Sequence, residues 1–94
     1  MRKIERTNQF KKDFKRYRND EEVIKRVTKV LDYLIKNEPL PLWYRKHFLS
    51  GDYIGCIDIH IKSDILLIYI ENPEKVTLLR FGSHSELFGS ERKR

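Results

Sequence analysis

The spacing of apolar residues changes period once, at Pro39-Leu40-Pro41, and that change divides the chain into a helical part and a strand part. Before it, Val23, Ile24, Val27, Val30, Leu31, Leu34 and Ile35 repeat at i, i+1, i+4, i+7 and i+8, which predicts an amphipathic helix with one face to bury. The prolines end it, because each lacks a backbone N–H and cannot continue the helical ladder. Upstream, Phe10, Phe14 and Tyr17 recur at i, i+4 and i+7, with Lys11, Lys15 and Arg18 on a neighbouring face. That predicts a first helix with an aromatic stripe for the core and a basic stripe outside. Thr7 or Asn8 is its expected cap, and Asn19 with Glu22 stands in capping-box position for the second helix. The short break between the helices makes them antiparallel.

Downstream, Leu42 to Leu49 reads as an irregular connector rich in aromatic and basic residues, closed by Ser50-Gly51. Tyr53 to Ile61, Ile65 to Ile70 and Val76 to Gly82 then read as strands with short turns between them, an antiparallel meander. A short strand over Arg2 to Arg6 precedes the helices. The expected fold is α+β, in the order β-α-α-β-β-β, with two antiparallel helices on one face of a small, mainly antiparallel four-stranded sheet. The opposite face is expected to stay partly open to a ligand.

A chain of 94 residues is one domain, 1–94, with a basic tail at 90–94. The net charge of +6 is concentrated at the ends: residues 1–18 hold eight Lys/Arg against Glu5 and Asp13, and Arg92-Lys93-Arg94 adds three more. Such a field favours a polyanion without sequence preference; a merely solubilising surface is the competing reading. Cys56 is the single cysteine, so no intrachain disulfide forms and a reducing cytoplasm is the expected location. The run Ile65 to Ile70 is too short to span a bilayer, and no apolar segment follows the basic start as a signal peptide requires.

The chemistry-bearing residues gather after the helices. His47 lies in the connector, while His60 and His84 lie at strand ends, where a rigid scaffold presents catalytic groups. Around the hairpin tip, Lys62 and Asp64 join His60. RNA cleavage without metal needs a base for the ribose 2′-OH, an acid for the leaving 5′-oxygen, and cations around the phosphoryl oxygens. His47, His60, Asp64 and His84 are candidate proton carriers, with Arg80, Lys46 and Lys62 as cations. Plainer readings stand beside these. Asp64 is also an ordinary turn residue, His47 and His60 are also solvated polar residues, and His84 falls in Ser83-His84-Ser85-Glu86, where Ser83 and Glu86 form a capping box. Phe88 reads as a core plug or a base-stacking ring. A zinc site from His47, Cys56, His60 and His84 is disfavoured, since no pair has short metal-ligand spacing.

Read in series, Pro39-Leu40-Pro41, Lys46-His47, Leu49-Ser50-Gly51-Asp52-Tyr53, Asp58-Ile59-His60-Ile61 with Asp64, Leu66-Leu67-Ile68-Tyr69 and Leu78 to Phe88 resemble the YafQ-like branch of the RelE/ParE toxin superfamily. The resemblance covers roughly residues 38–89 and agrees with the β-α-α start. It implies an mRNA interferase, a metal-independent endoribonuclease that cuts mRNA, usually in the ribosomal A site, and is held inactive by a cognate acidic antitoxin. It implies no cofactor and no membrane. Its catalytic set falls on His47, His60, Asp64 and His84, with the matching arginine at Arg80 and the aromatic at Phe88; Lys46 and Lys62, the cations of the residue reading, join these two as expected RNA or phosphate contacts. His84 is the expected acid and His47 the base; Asp64 and His60 orient a partner or share the base role, and Arg80 holds the scissile phosphate. Two positions depart from the family pattern: Ile57 stands where an arginine is frequent, and Ser63 where a proline is. Two other functions compete, a gyrase-poisoning toxin of the ParE type and a non-catalytic basic RNA-binding protein. The first has no use for a cluster of proton-transferring side chains, and the second would tolerate loss of His84.

Overall fold

The structure is a computed structural model, described over residues 1–89; the basic tail at 90–94 lies outside the described residues. The first strand, β1 (Lys3–Arg6), leads into helix α1 (Asn8–Phe14), whose last turn tightens to a 3-10 turn at Lys15–Tyr17. Helix α2 (Glu21–Lys36) follows, then a 3-10 turn at Leu42–Tyr44 and a two-residue strand, β2 (His47–Phe48). A further 3-10 turn at Gly51–Tyr53 precedes β3 (Ile57–Lys62), β4 (Ile65–Glu71), β5 (Lys75–Ser83) and the short helix α3 (His84–Phe88).

The expected α+β order holds, with five strands in place of four, in the spatial order β1-β5-β4-β3-β2. All pairings are antiparallel except β1 with β5. The added strand comes from the expected connector, where His47 and Phe48 pair with Asp58 and Ile57. The third strand begins later than expected, because Gly51–Tyr53 winds into a turn and Gly55 adopts a positive φ of 89°.

The helix termini follow capping chemistry. Thr7 Oγ1 accepts from Phe10 N–H at 3.0 Å, so Thr7 caps α1. Asp20 caps α2, accepting from Val23 N–H at 3.1 Å, and displaces the expected Asn19 box. Asn37 closes α2 in the left-handed region, φ 57°, its N–H reaching the Leu34 and Tyr33 carbonyls two residues before Pro39.

Strand alternation sorts the sheet into two faces. Ile57, Ile59, Ile61, Leu67, Tyr69, Val76, Leu78 and Phe81 meet Phe10, Val23, Val27, Val30 and Leu34 in the main core. The three aromatic residues at i, i+4 and i+7 close on one ring: Phe10, Phe14 and Tyr17 lie 5.9, 5.0 and 5.3 Å from Phe81, each edge to face. The opposite face is less open than expected. Leu66, Ile68 and Leu87 form a small second cluster, flanked by Leu49, Tyr53, Cys56, Leu79 and Phe88. Arg2 is buried, donating to the Leu34 and Asn72 carbonyls and pairing with Glu71 at 2.9 Å, so this member of the basic N-terminus ties α2 to the β4–β5 turn.

Two irregularities break the alternation, and both bear on the site. Between β3 and β4 the register slips after His60, so that Lys62 pairs with Ile65 and follows it towards the helix face. Between β4 and β5, Ile68 opposes Arg80 while Tyr69 opposes Leu78, leaving Leu79 as the extra residue of a bulge. Without that bulge Arg80 would share parity with Leu78 and enter the main core. With it, Arg80 turns to the opposite face.

Candidate active site

The second face carries a row of three imidazoles at the rim of the small cluster. His47 opposes Asp58 across β2 and β3, and His60 follows Asp58 on the same face two residues on. His84 opens α3, just past the end of β5. The rings of His47 and His60 lie 6.3 Å apart, and those of His60 and His84 5.8 Å apart. His60 is thus the middle of the row.

The outer two imidazoles each face a carboxylate. His84 Nδ1 lies 2.6 Å from Asp64 Oδ1. Because the carboxylate only accepts, Nδ1 carries a proton in this contact. The hydrogen bond from His84 holds the Asp64 carboxyl below its usual range, against the opposing effect of burial. Asp64 occupies the Ser63-Asp64 turn of the β3–β4 hairpin, which brings it across to the start of α3. His47 Nδ1 lies 3.5 Å from Asp58 Oδ1. Asp58 is buried, and this Oδ1 has no hydrogen-bond partner among the described residues, so the approaching imidazole is its nearest source of compensation.

Arg80 stands on the same face, held by a carboxylate that no local pattern singled out. Asp13, on the inner side of α1, is 2% exposed. Its Oδ2 accepts from Arg80 Nε at 2.7 Å and from Phe81 N–H at 3.0 Å, and its Oδ1 accepts from Arg80 Nη2 at 3.3 Å and Gln9 Nε2 at 2.9 Å. β1 ends at Arg6, beside Leu78, so the Phe81 N–H has no neighbouring strand on that side and Asp13 takes the strand's place. Burial raises the Asp13 carboxyl, but bonds from Arg80, Gln9 and Phe81 outweigh it and leave it below its usual value. The bond to Asp13 in turn raises Arg80 further above its ordinary value. The remaining guanidinium nitrogen, Nη1, donates to Tyr53 Oη at 3.4 Å.

Tyr53 links the arginine to the histidine row. Its ring meets Phe88 edge to face at 5.6 Å, and Phe88 lies 6.3 Å from His84. Phe88 is half-buried against the second cluster, so it serves as a packing residue while also bordering His84. The helix that carries both is fixed by the expected capping box: Ser83 Oγ accepts from Glu86 N–H at 3.2 Å and Glu86 Oε1 accepts from Ser83 N–H at 2.9 Å. Glu86 Oε1 also accepts from Tyr17 Oη at 2.7 Å. Burial first, and then this carboxylate, push the Tyr17 hydroxyl up to about 12, while the same bond holds Glu86 down.

Of the eight residues singled out from the sequence, His47, His60, Asp64, His84, Arg80 and Phe88 share this face. Lys46 and Lys62 do not. Lys46 has the parity of Phe48, opposite to His47, and its Nζ lies 3.8 Å from Glu71. Lys62, turned by the register slip, pairs with Glu22 of α2 at 3.2 Å. Asp13, Tyr53 and Asp58 are the site's additional members. Asp58 had a local signal, since it sits two residues before His60 on a strand; Asp13 and Tyr53 join through contacts of |i−j| 67 and 27. Among the described residues no group of three or more His, Cys, Asp or Glu side chains is placed to hold a metal ion.

A small α+β domain with an imidazole row, two facing carboxylates and an anchored arginine has the make-up of a toxin-type ribonuclease. Residues 2–89 match the model of the bacterial toxin of type II toxin–antitoxin systems, YafQ, and the chain belongs to that family. It is 34% identical over 90 residues to the mRNA interferase toxin YafQ of Escherichia coli K12, covering 95% of this chain and 98% of that one. The crystal structure of YafQ from E. coli BL21(DE3) superposes with a TM-score of 0.85 at 32% identity, over 95% of this chain and 100% of the other. YafQ in the E. coli DinJ–YafQ complex gives 0.83 at 33% identity, again over 95% and 100%.

Proposed function

We propose that this mRNA interferase toxin cuts RNA without metal, by attack of the ribose 2′-OH on the adjacent phosphate, with His84 as the general acid and His47 as the general base. The observation that carries the reading is the His84–Asp64 contact at 2.6 Å within a row of imidazoles on one face. With Asp64 accepting from Nδ1–H, the doubly protonated His84 ring presents its second proton, on Nε2, to the leaving 5′-oxygen. Asp58 orients His47, whose other nitrogen accepts the 2′-OH proton. His60, between them, lines the position of the scissile phosphate and shares the base role. Arg80 offers its guanidinium to the phosphoryl oxygens as their negative charge grows; its hold on Asp13 keeps it in place before the substrate arrives. Phe88 borders His84 and provides a ring face for a base. The reaction breaks the P–O5′ bond and forms P–O2′, so its products are a 2′,3′-cyclic phosphate and a 5′-hydroxyl.

The family's toxin–antitoxin setting and the DinJ–YafQ assembly support a cognate acidic antitoxin as the protein partner of this chain. The one-domain toxin would work in the cytoplasm on translated mRNA, with the ribosome holding the substrate; no described helix is long and apolar enough to cross a membrane. The test is cleavage mapping on a defined mRNA, with wild-type protein and His84→Ala, with and without ribosomes. Cleavage leaving cyclic-phosphate ends, lost in the variant and dependent on ribosomes, is the expected result. Undiminished cleavage by folded His84→Ala would remove His84 from its role, and equal cleavage of free mRNA would remove the ribosome.

A further inference from the structure

On the far side of the sheet from the histidine row, a groove of about 360 Å³ runs between α2 and the Leu42–Tyr44 turn. One wall is cationic and the other aromatic. Lys25, Arg26 and Lys29 line the first, with Glu22 at its end; Tyr33, Trp43 and Tyr44 line the second. Arg26 is occupied by Glu22, at 3.0 and 2.8 Å, whereas neither Lys25 nor Lys29 forms an ion pair among the described residues. Lys25 and Lys29 are i, i+4 neighbours, side by side on one helix face. The aromatic wall is graded: Tyr33 meets the buried Tyr44 edge to face at 6.3 Å, Tyr44 meets Trp43 at 6.0 Å, and Trp43 ends the series 73% exposed.

We infer that this groove is a second nucleic-acid contact, which takes a single-stranded RNA segment, stacks one unpaired base on Trp43 and holds the flanking phosphates on Lys25 and Lys29. The inference rests on the reading of this chain as acting on RNA and adds where the strand goes beyond the cut. An exposed indole beside a line of free ammonium groups supplies both things an unpaired nucleotide offers to a protein, a π-face and a phosphate. An acidic peptide would satisfy the lysines, but its carboxylates come without the flat π-face that a base offers to the exposed indole. Trp43 is four residues from His47, a chain reach of about 14 Å, so one strand can pass from the histidine row around the β2 edge into the groove.

Trp43 is the single tryptophan of the chain, so its fluorescence reports on this groove alone. The experiment titrates the full chain with a short 2′-O-methyl oligoribonucleotide, which lacks the attacking hydroxyl and is not cut. Saturable quenching of Trp43 is expected. Trp43→Leu, followed by anisotropy of a labelled oligonucleotide, should weaken binding about tenfold through the lost stacking. Lys25→Gln with Lys29→Gln should flatten the dependence of log K on log salt by about 1.4, the effect of two phosphate contacts to a single strand. Circular dichroism checks that both proteins are folded. Binding that leaves Trp43 fluorescence unchanged, a salt slope untouched by the lysine changes, or equal quenching by poly-glutamate would each overturn the inference. Because the probe cannot be cleaved, the two readings fail separately. Cleaved mRNA with a silent Trp43 removes the groove alone, and quenching without cleavage removes the proposed chemistry alone.

Discussion

Replacing Asp13 by Asn tests whether one buried carboxylate holds Arg80 in place. Asp13 receives four hydrogen bonds, two at each oxygen, and every partner is a donor. An asparagine has one acceptor oxygen, so two of the four donors would face its NH2 group, and the Arg80 charge would lose its counter-charge. Breaking a buried pair by removing one partner costs about 3–5 kcal/mol. The Arg80 side chain is 24% exposed and recovers some hydration, which places the expected cost near 3 kcal/mol. For a domain of this size that corresponds to a fall in Tm of roughly 15 °C, measured by urea and thermal unfolding. The double variant Asp13→Asn with Arg80→Met removes both charges and should cost less than the sum of the single changes by about 2 kcal/mol. In conditions where Asp13→Asn remains folded, RNA cleavage should drop about 10- to 100-fold, because the guanidinium is no longer placed in advance. A cost below about 0.5 kcal/mol, or strictly additive costs in the double variant, would refute the clamp.

Asp64→Asn should separate catalysis from stability: the Asp64 side chain is 63% exposed, so unfolding should change by less than about 1 kcal/mol while cleavage falls at least about tenfold. Gly82→Ala should destabilise by about 1–3 kcal/mol, seen in urea melts. Gly82 has φ 153°, and a Cβ there would come within 2.7 Å of Glu86 Oε1, whose position is set by Tyr17 and Ser83. Stability should also fall in acid through Asp13. Its folded carboxyl lies below the ordinary 3.8, so the unfolded chain takes up this proton first as pH drops. The contribution is full above about pH 5 and is lost through the lowered folded value; the stability gap between wild type and Asp13→Asn should therefore narrow below about pH 4, and a constant gap down to pH 2 would contradict it.

The sequence by itself determined what rests on local periodicity and short-range chemistry. The α2 stripe, the Phe10/Phe14/Tyr17 face, the Thr7 cap and the Ser83–Glu86 box all depend on residues within about two turns of each other. The candidate residues His47, His60, Asp64 and His84 were marked through a family resemblance, with His60 and His84 on strand ends that the periodicity had also marked. Tertiary structure decided which side chains share a face. Parity along a strand is a reliable guide only while pairing is regular, and each slip inverts it. The slip after His60 sends Lys62 to Glu22, and the bulge at Leu79 brings Arg80 out of the core towards Tyr53. Neither irregularity has a local sequence mark, because both depend on how a neighbouring strand is registered. The same holds for Asp13: its neighbours on α1 give no sign of an arginine 67 positions away, and only the end of β1 beside Leu78 leaves the edge N–H that a buried carboxylate must satisfy.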